Sequence, residues 1–101
     1  MGLPESARLL ADLVAVPSPT RHEADAARML ADRLPRFGWS GSHLDGAGSV
    51  VAERGTGDKE LVLLSHIDTV PGGPEVMISD EVIRGRGSVD AKGPCCAMAV
   101  A

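Results

Sequence analysis

Three side chains in two short stretches have types and spacing that suit metal chemistry. His66 and Asp68 lie in the stretch 61–71, LVLLSHIDTVP, and Asp90 lies in the stretch 85–94, GRGSVDAKGP. Because alternate side chains along an extended chain share a face, we expect His66 and Asp68 to point in the same direction. Imidazole and carboxylate groups together suit zinc and metals of similar preference.

A histidine beside an aspartate is most often a structural pair, so the metal interpretation depends on its surroundings. The apolar run 61–64 predicts a strand buried on both faces that ends just before His66. In open α/β sheets, ligands bind at the carboxyl ends of strands. We therefore predict that His66 binds a metal through one ring nitrogen and that Asp68 accepts a hydrogen bond from the other. Asp90, in a glycine-rich turn that permits close approach, can bridge two cations.

Two helices are predicted ahead of these stretches. Apolar residues at helical spacing predict an amphipathic first helix that begins near Pro4. Thr20 and Glu23 have the pattern of a capping box, which predicts the start of a second helix, and Pro35 and Gly38 mark its end. The apolar positions are Leu9, Leu10, Leu13 and Val14 in the first helix and Ala27, Leu30, Leu34 and Phe37 in the second.

The remaining elements are short strands and a third helix. Glycine-bounded runs predict a strand over 49–53 and the buried strand over 61–64. Residues 76–78 and 82–83 predict a small hairpin, and a helix with a small, apolar, buried surface is expected from Lys92. This order of elements predicts an α/β layered sandwich. Residues 95–101 contain no helix stop signal, so we expect the chain to be a fragment of a larger unit.

Composition excludes several classes of protein. The chain has 14 acidic and 10 basic residues and no cluster of lysine and arginine, which argues against a nucleic-acid partner. The adjacent Cys95 and Cys96 cannot join distant elements, and reduced thiols indicate a cytoplasmic protein. No apolar run approaches the roughly 20 residues of a membrane span, and no signal peptide is evident. We therefore expect no membrane association.

The two motifs together resemble the co-catalytic metallopeptidase family that contains acetylornithine deacetylase, succinyl-diaminopimelate desuccinylase, aminoacylase and glutamate carboxypeptidase. The resemblance rests on SHIDTVPG, with its H-x-D-x-V-P pattern, and on GRGSVDAKG, with its G-x-G-x-x-D-x-K-G pattern. The stretch GRGSVDAKGP is most similar to the hydrolases that release lysine or ornithine from an amino-group carrier protein in lysine and arginine biosynthesis.

The resemblance implies a fold, cofactors and roles for individual residues. Residues 1–101 would be the N-terminal portion of a three-layer αβα zinc-exopeptidase-like catalytic domain. Two divalent ions, zinc or cobalt, would be bound, with His66 on one metal, Asp90 bridging both and Asp68 assisting catalysis. A glutamate pair, a further acidic ligand, a histidine and the lid domain of a homodimeric enzyme would follow Ala101. We therefore expect this chain alone to bind zinc weakly and to hydrolyse no amide measurably.

Other interpretations stay open at this point. The general family alternative is an N-acyl-amino-acid deacylase or a dipeptidase. A truncated, non-enzymatic folding unit would expose a large apolar patch, and a zinc-storage module would bind the metal tightly. Lys92 is expected either to balance the charge of Asp90 or simply to start the helix, and His22, within the second helix, and His43 are expected to be solvated.

Overall fold

The computed structural model describes residues 2–101, which form helices and two small antiparallel sheets. The α-helices are α1 (Glu5–Ala15), α2 (Ala24–Arg33) and α3 (Lys92–Val100), and a 3-10 helix covers Leu34–Phe37. Strands β1 (Ser40–Leu44) and β2 (Val50–Glu53) pair with each other, as do β3 (Met77–Ile78) and β4 (Ile83–Arg84). This combination confirms the α/β class, and the three-layer arrangement stays a prediction.

Helix α1 supplies the centre of the core. It begins directly after Pro4, whose fixed φ suits a helix start, and Leu9 and Leu13 on its apolar face are fully buried. Burying a leucine side chain stabilises the fold by about 1.5–3 kcal/mol. The buried residues that pack together come from all three α-helices and the 3-10 helix: Leu9, Leu13, Ala26, Leu30, Leu34, Cys96 and Ala99.

Helix α2 ends as the sequence predicts but does not begin as predicted. Gly38 has the left-handed φ of 91° that terminates the 3-10 extension. The prediction of a capping box is wrong, because Glu23 occupies the N-cap position and no side chain makes a cap hydrogen bond there. The Thr20 hydroxyl instead donates to the carboxylate of Asp68 at 3.1 Å. A partner distant in sequence therefore outcompetes the helix terminus for this hydroxyl.

The predicted buried strand over 61–64 is wrong. These residues form no strand, and their exposed fractions are 85% for Leu61, 68% for Val62, 50% for Leu63 and 86% for Leu64. A strand needs a neighbour to satisfy its backbone N–H and C=O groups and to cover its side chains. Within residues 2–101, each strand pairs only with its own hairpin partner, so nothing covers this run.

The predicted hairpin over 76–78 and 82–83 and the predicted strand over 49–53 are confirmed, at slightly different bounds, and β1 is the partner of β2. β2 lies within the predicted run 49–53, and β3 and β4 flank a turn in which the Ser79 hydroxyl accepts hydrogen bonds from the N–H groups of Glu81 and Val82. The third helix is also confirmed, with Cys96 and Ala99 buried. Among residues 2–101, no helix is long and apolar enough to cross a membrane.

Candidate metal site

The candidate site is built where the loop after α1 meets the segment that follows 61–64. Ser18 is fully buried, and its hydroxyl donates to the carbonyl of Ile67 at 2.6 Å. Two backbone bonds run alongside it, from Thr69 N–H to Ser18 O at 2.9 Å and from Thr20 N–H to Thr69 O at 3.2 Å. Parallel pairing of Pro19 with Thr69 completes the contact. This short bridge holds the segment that carries His66 and Asp68.

The structure brings all three predicted site residues together. The His66 Nε2 atom lies 3.1 Å from Asp90 Oδ1, and its Nδ1 atom lies 3.2 Å from Asp68 Oδ1 and 3.1 Å from the Asp68 carbonyl oxygen. The second carboxylate oxygen of Asp68 accepts the hydrogen bond from Thr20. The imidazole is therefore contacted on both ring nitrogens, by a different aspartate on each side.

Two glycines allow the turn that carries Asp90 to lie against the rest of the chain. Gly87 has a φ of 85°, and a Cβ atom there would lie 2.7 Å from Thr69 Cγ2. At Gly85, a Cβ atom would collide with the Val14 side chain. A side chain at either position would therefore push the turn away from α1 and from the His66 segment.

Of the two roles expected for Lys92, the structure confirms the helix start but not the balancing of the Asp90 charge. The residue does begin α3, but its side chain is buried, with 1% of the residue exposed. Its ammonium donates to the Leu13 carbonyl at 3.0 Å and to the Val16 carbonyl at 2.9 Å. Lys92 thus contacts the end of α1 rather than balancing Asp90. Burial lowers the pKa of its ammonium, and Cys96 partly opposes that shift.

The two cysteines lie in α3 and are both free thiols. Burial raises the pKa of Cys95, and burial together with the neighbouring Cys95 raises the pKa of Cys96 to about 12. A protonated thiol is a poor metal ligand and a poor nucleophile. These residues therefore pack as small apolar side chains.

The other two histidines do not join the site. His22 is exposed and precedes α2, so the prediction that it lies within the helix is wrong. His43 is exposed on β1, as predicted, and its Nδ1 atom lies 2.6 Å from the Gly41 carbonyl oxygen.

The geometry of the His66–Asp90 pair fits two neighbouring ligands of one metal ion. Two ligands at about 2.0–2.1 Å from a tetrahedral zinc ion lie about 3.3 Å apart, and the observed separation of His66 Nε2 from Asp90 Oδ1 is 3.1 Å. Among residues 2–101, no group of three or more histidine, cysteine, aspartate or glutamate side chains is arranged to hold a metal ion. The pair can therefore supply two positions of a coordination shell but cannot complete it.

The site is open to solvent. The side chains of His66 and Asp90 are 51% and 88% exposed. They line a cleft of about 520 Å³ together with Asp68, Arg86 and other residues of the same loops. That volume lies in the range of small-molecule sites, about 300–1,000 Å³. Arg86 is held in place by a hydrogen bond from its Nε to the Gly72 carbonyl at 3.1 Å.

The sequence pattern identified His66, Asp68 and Asp90 but not the residues that hold them. Ser18, Thr20 and Lys92 are the supporting residues that it missed. The stretch VPSPT gave a partial signal, because a serine and a threonine between prolines cannot continue a helix and must bond elsewhere. Nothing local to Lys92 indicates that it is buried.

Comparison with known proteins gives relatives but no family model, since none matches the sequence. A Pyrococcus abyssi protein with the provisional name [LysW]-lysine/[LysW]-ornithine hydrolase is 40% identical over 95 residues, 93% of this chain and 28% of the relative. The [LysW]-lysine hydrolase of Deinococcus radiodurans is 42% identical over 89 residues, 87% of this chain and 24% of the relative. The [LysW]-lysine/[LysW]-ornithine hydrolase of Saccharolobus islandicus is 39% identical over 93 residues, 92% of this chain and 26% of the relative. The chain therefore spans about a quarter of the length of the curated relatives it matches.

Proposed function

We infer that this chain, which belongs to the family of [LysW]-lysine and [LysW]-ornithine hydrolases, supplies two ligands of a metal-dependent amide hydrolase site. The observation that carries this proposal is the 3.1 Å contact between His66 Nε2 and Asp90 Oδ1, with Asp68 on the other ring nitrogen. The proposed substrate is an amide that joins lysine or ornithine to an amino-group carrier protein. The names of the relatives support this substrate class.

Each of the three residues has a distinct proposed role. His66 would bind one divalent ion, zinc or cobalt, through Nε2, and Asp90 would bind the same ion and use its second oxygen for another. Such ions, when bound, lower the pKa of water and polarise a carbonyl oxygen. Asp68 would accept a hydrogen bond from Nδ1–H of His66, which would keep the proton on Nδ1 and leave the Nε2 lone pair free for the metal.

The contacts of Asp68 explain how it can assist catalysis. One carboxylate oxygen lies beside the imidazole and the other accepts the Thr20 hydroxyl, so the carboxylate is oriented from both sides. Because it also lines the cleft, Asp68 stays close to a bound substrate. We propose that it fixes the orientation of the imidazole and raises the basicity of Nε2 toward the metal ion.

Zinc titration of the chain tests this proposal. We expect His66→Ala and Asp90→Ala each to weaken zinc binding, measured by isothermal titration calorimetry, by more than tenfold. Asp68→Ala should weaken it by about 10–100-fold, the usual effect of removing the partner of a ligating histidine. His43→Ala is the matched control, because His43 is exposed and its ring nitrogen contacts the Gly41 carbonyl instead of a carboxylate. Equal affinity in His66→Ala and His43→Ala would refute the proposed site.

The chain by itself is proposed to lack measurable amide hydrolysis. His66 and Asp90 provide only two protein ligands, and a catalytic zinc site normally has three. Hydrolysis of a lysyl or ornithyl amide by the pure chain, abolished by His66→Ala, would overturn this point. Tight zinc binding without hydrolysis, abolished by the same substitution, would instead favour a metal-binding module.

A further inference from the structure

We propose that Lys92 is a positioning residue that fixes Asp90 relative to His66. This inference rests on the proposed function, in which those two side chains bind one cation. Lys92 follows Asp90 by two residues, and its side chain reaches away from the cleft into the protein. Its proposed action is therefore exerted through the backbone of the turn and not on the substrate.

Lys92 is held at both its main chain and its side chain. Its N–H donates to the carbonyl of Gly87 at 2.8 Å, which closes the turn that contains Asp90. Its ammonium donates to the carbonyls of Leu13 and Val16, at the end of α1. Carbonyls in the last turn of a helix lack the usual N–H donor four residues further on, and the helix dipole makes this end favourable for a cation. The Asp90 turn is thus tied to one fixed point on α1.

The loop that follows α1 also holds the segment that carries His66. Two residues after Val16, the buried Ser18 hydroxyl bonds the carbonyl of Ile67, the neighbour of His66. Hydrogen bonds therefore run from the Asp90 turn through Lys92 to Val16, and from Ser18 to the His66 segment. Both candidate ligands are positioned from the loop that follows α1.

The contact between the two candidate ligands cannot fix their separation alone. Their side chains are 51% and 88% exposed, and contacts between such exposed polar side chains contribute little to stability. Lys92, by contrast, is buried, and removing its ammonium would leave two carbonyls without that donor. The buried residue is therefore the one that determines where Asp90 lies.

The test compares two substitutions that remove side-chain hydrogen bonds at opposite ends of α3. Lys92→Met keeps a long side chain in the same space but cannot donate a hydrogen bond. Trp39→Phe is the matched control, because the Trp39 indole donates to the Ala99 carbonyl at 2.7 Å, at the far end of the same helix. Asp90→Asn serves as the reference for a changed contact with His66. All variants are first checked for folding by the dispersion of their amide NMR signals.

The first measurement needs no metal. We expect Lys92→Met to move the NMR signals of the His66 ring in the direction seen in Asp90→Asn, and Trp39→Phe to leave them in place. Unchanged His66 signals in folded Lys92→Met would overturn the inference. Zinc titration provides the second measurement, with affinity at least about tenfold lower in Lys92→Met and within twofold of the native chain in Trp39→Phe. Equal zinc affinity in the native chain and folded Lys92→Met would also overturn it.

The two proposals fail in different ways. If the native chain binds no zinc, the proposed function is refuted, whereas the His66 signals still decide the role of Lys92. If Lys92→Met does not fold, hydrogen exchange on the native chain replaces it. Zinc should then slow exchange both in the turn 87–92 and at the Val16 N–H, which bonds the Leu13 carbonyl, but not in β1 and β2. Slower exchange in the turn alone would contradict the inference.

Discussion

The turn that carries Asp90 gives the sharpest stability prediction, because Gly87 in this turn and Gly48 elsewhere share a backbone φ but differ in the space around them. Gly87 and Gly48 have nearly the same positive φ, 85° and 87°. A Cβ atom at Gly87 would lie 2.7 Å from Thr69 Cγ2 and 3.3 Å from Lys92 Cδ, whereas one at Gly48 would meet nothing within 4 Å. Substituting alanine at both sites therefore separates backbone strain from steric collision.

The expected losses follow from these contacts. Gly48→Ala should lower the free energy of unfolding by about 1–2 kcal/mol, the cost of a left-handed conformation for a residue with a Cβ atom. Gly87→Ala carries the same cost plus overpacking of about 1–3 kcal/mol, so its total loss should be about 2–5 kcal/mol. That is a large share of the about 5–15 kcal/mol that stabilises a typical domain.

Urea unfolding followed by far-ultraviolet circular dichroism measures both losses. We expect Gly87→Ala to lose more stability than Gly48→Ala by at least about 1 kcal/mol, with the slope against urea unchanged. Gly87→Ala should also weaken zinc binding, since relief of the collision moves the turn away from His66. Losses that agree within about 0.5 kcal/mol would show that Thr69 and Lys92 do not confine Gly87.

Three further predictions concern other parts of the chain. Ser18→Ala should lower the free energy of unfolding by about 1–3 kcal/mol, because it leaves the Ile67 carbonyl without its buried donor. Ser40→Ala is the control: it loses an exposed hydrogen bond to the Glu53 carbonyl and should lower the free energy of unfolding by less than about 0.5 kcal/mol in the same urea assay. Because burial raises the pKa of Cys96 to about 12, its reactive thiolate is much scarcer in the folded chain than in the unfolded one, so at a fixed mildly alkaline pH iodoacetamide should label Cys96, read by mass spectrometry, much more slowly in the folded chain than in the urea-unfolded one; equal rates would contradict the burial of this thiol. Leu64→Lys should reduce self-association in sedimentation velocity while changing stability by less than about 0.5 kcal/mol, since Leu64 is 86% exposed; a larger stability loss would show that Leu64 is packed.

Features set by local sequence could be predicted. The bounds of α1 follow from Pro4 and from leucines at helical spacing, and Gly38 fixes the end of the second helical segment by its φ. The proximity of His66 to Asp68 also follows from their spacing of two residues. In each case the determining interaction lies within a few residues, where the sequence pattern contains it.

Features set by distant partners could not be predicted. The run 61–64 has the composition of a buried strand, but burial requires a neighbouring strand, and none lies beside it within the described residues. The Thr20 hydroxyl donates to a carboxylate 48 residues away and does not cap the helix that follows it. Lys92 donates to a carbonyl 79 residues away. No local pattern distinguishes such a lysine from a solvated one.

Anomalous scattering at the zinc edge tests the central claim most directly. In crystals of the chain grown with zinc, we predict a peak at about 2.0–2.1 Å from both His66 Nε2 and an Asp90 carboxylate oxygen, and its loss in Asp90→Ala. Two results from native crystals at the same zinc concentration would contradict the account. One is the absence of an anomalous peak between these two side chains; the other is a zinc peak elsewhere that Asp90→Ala does not affect.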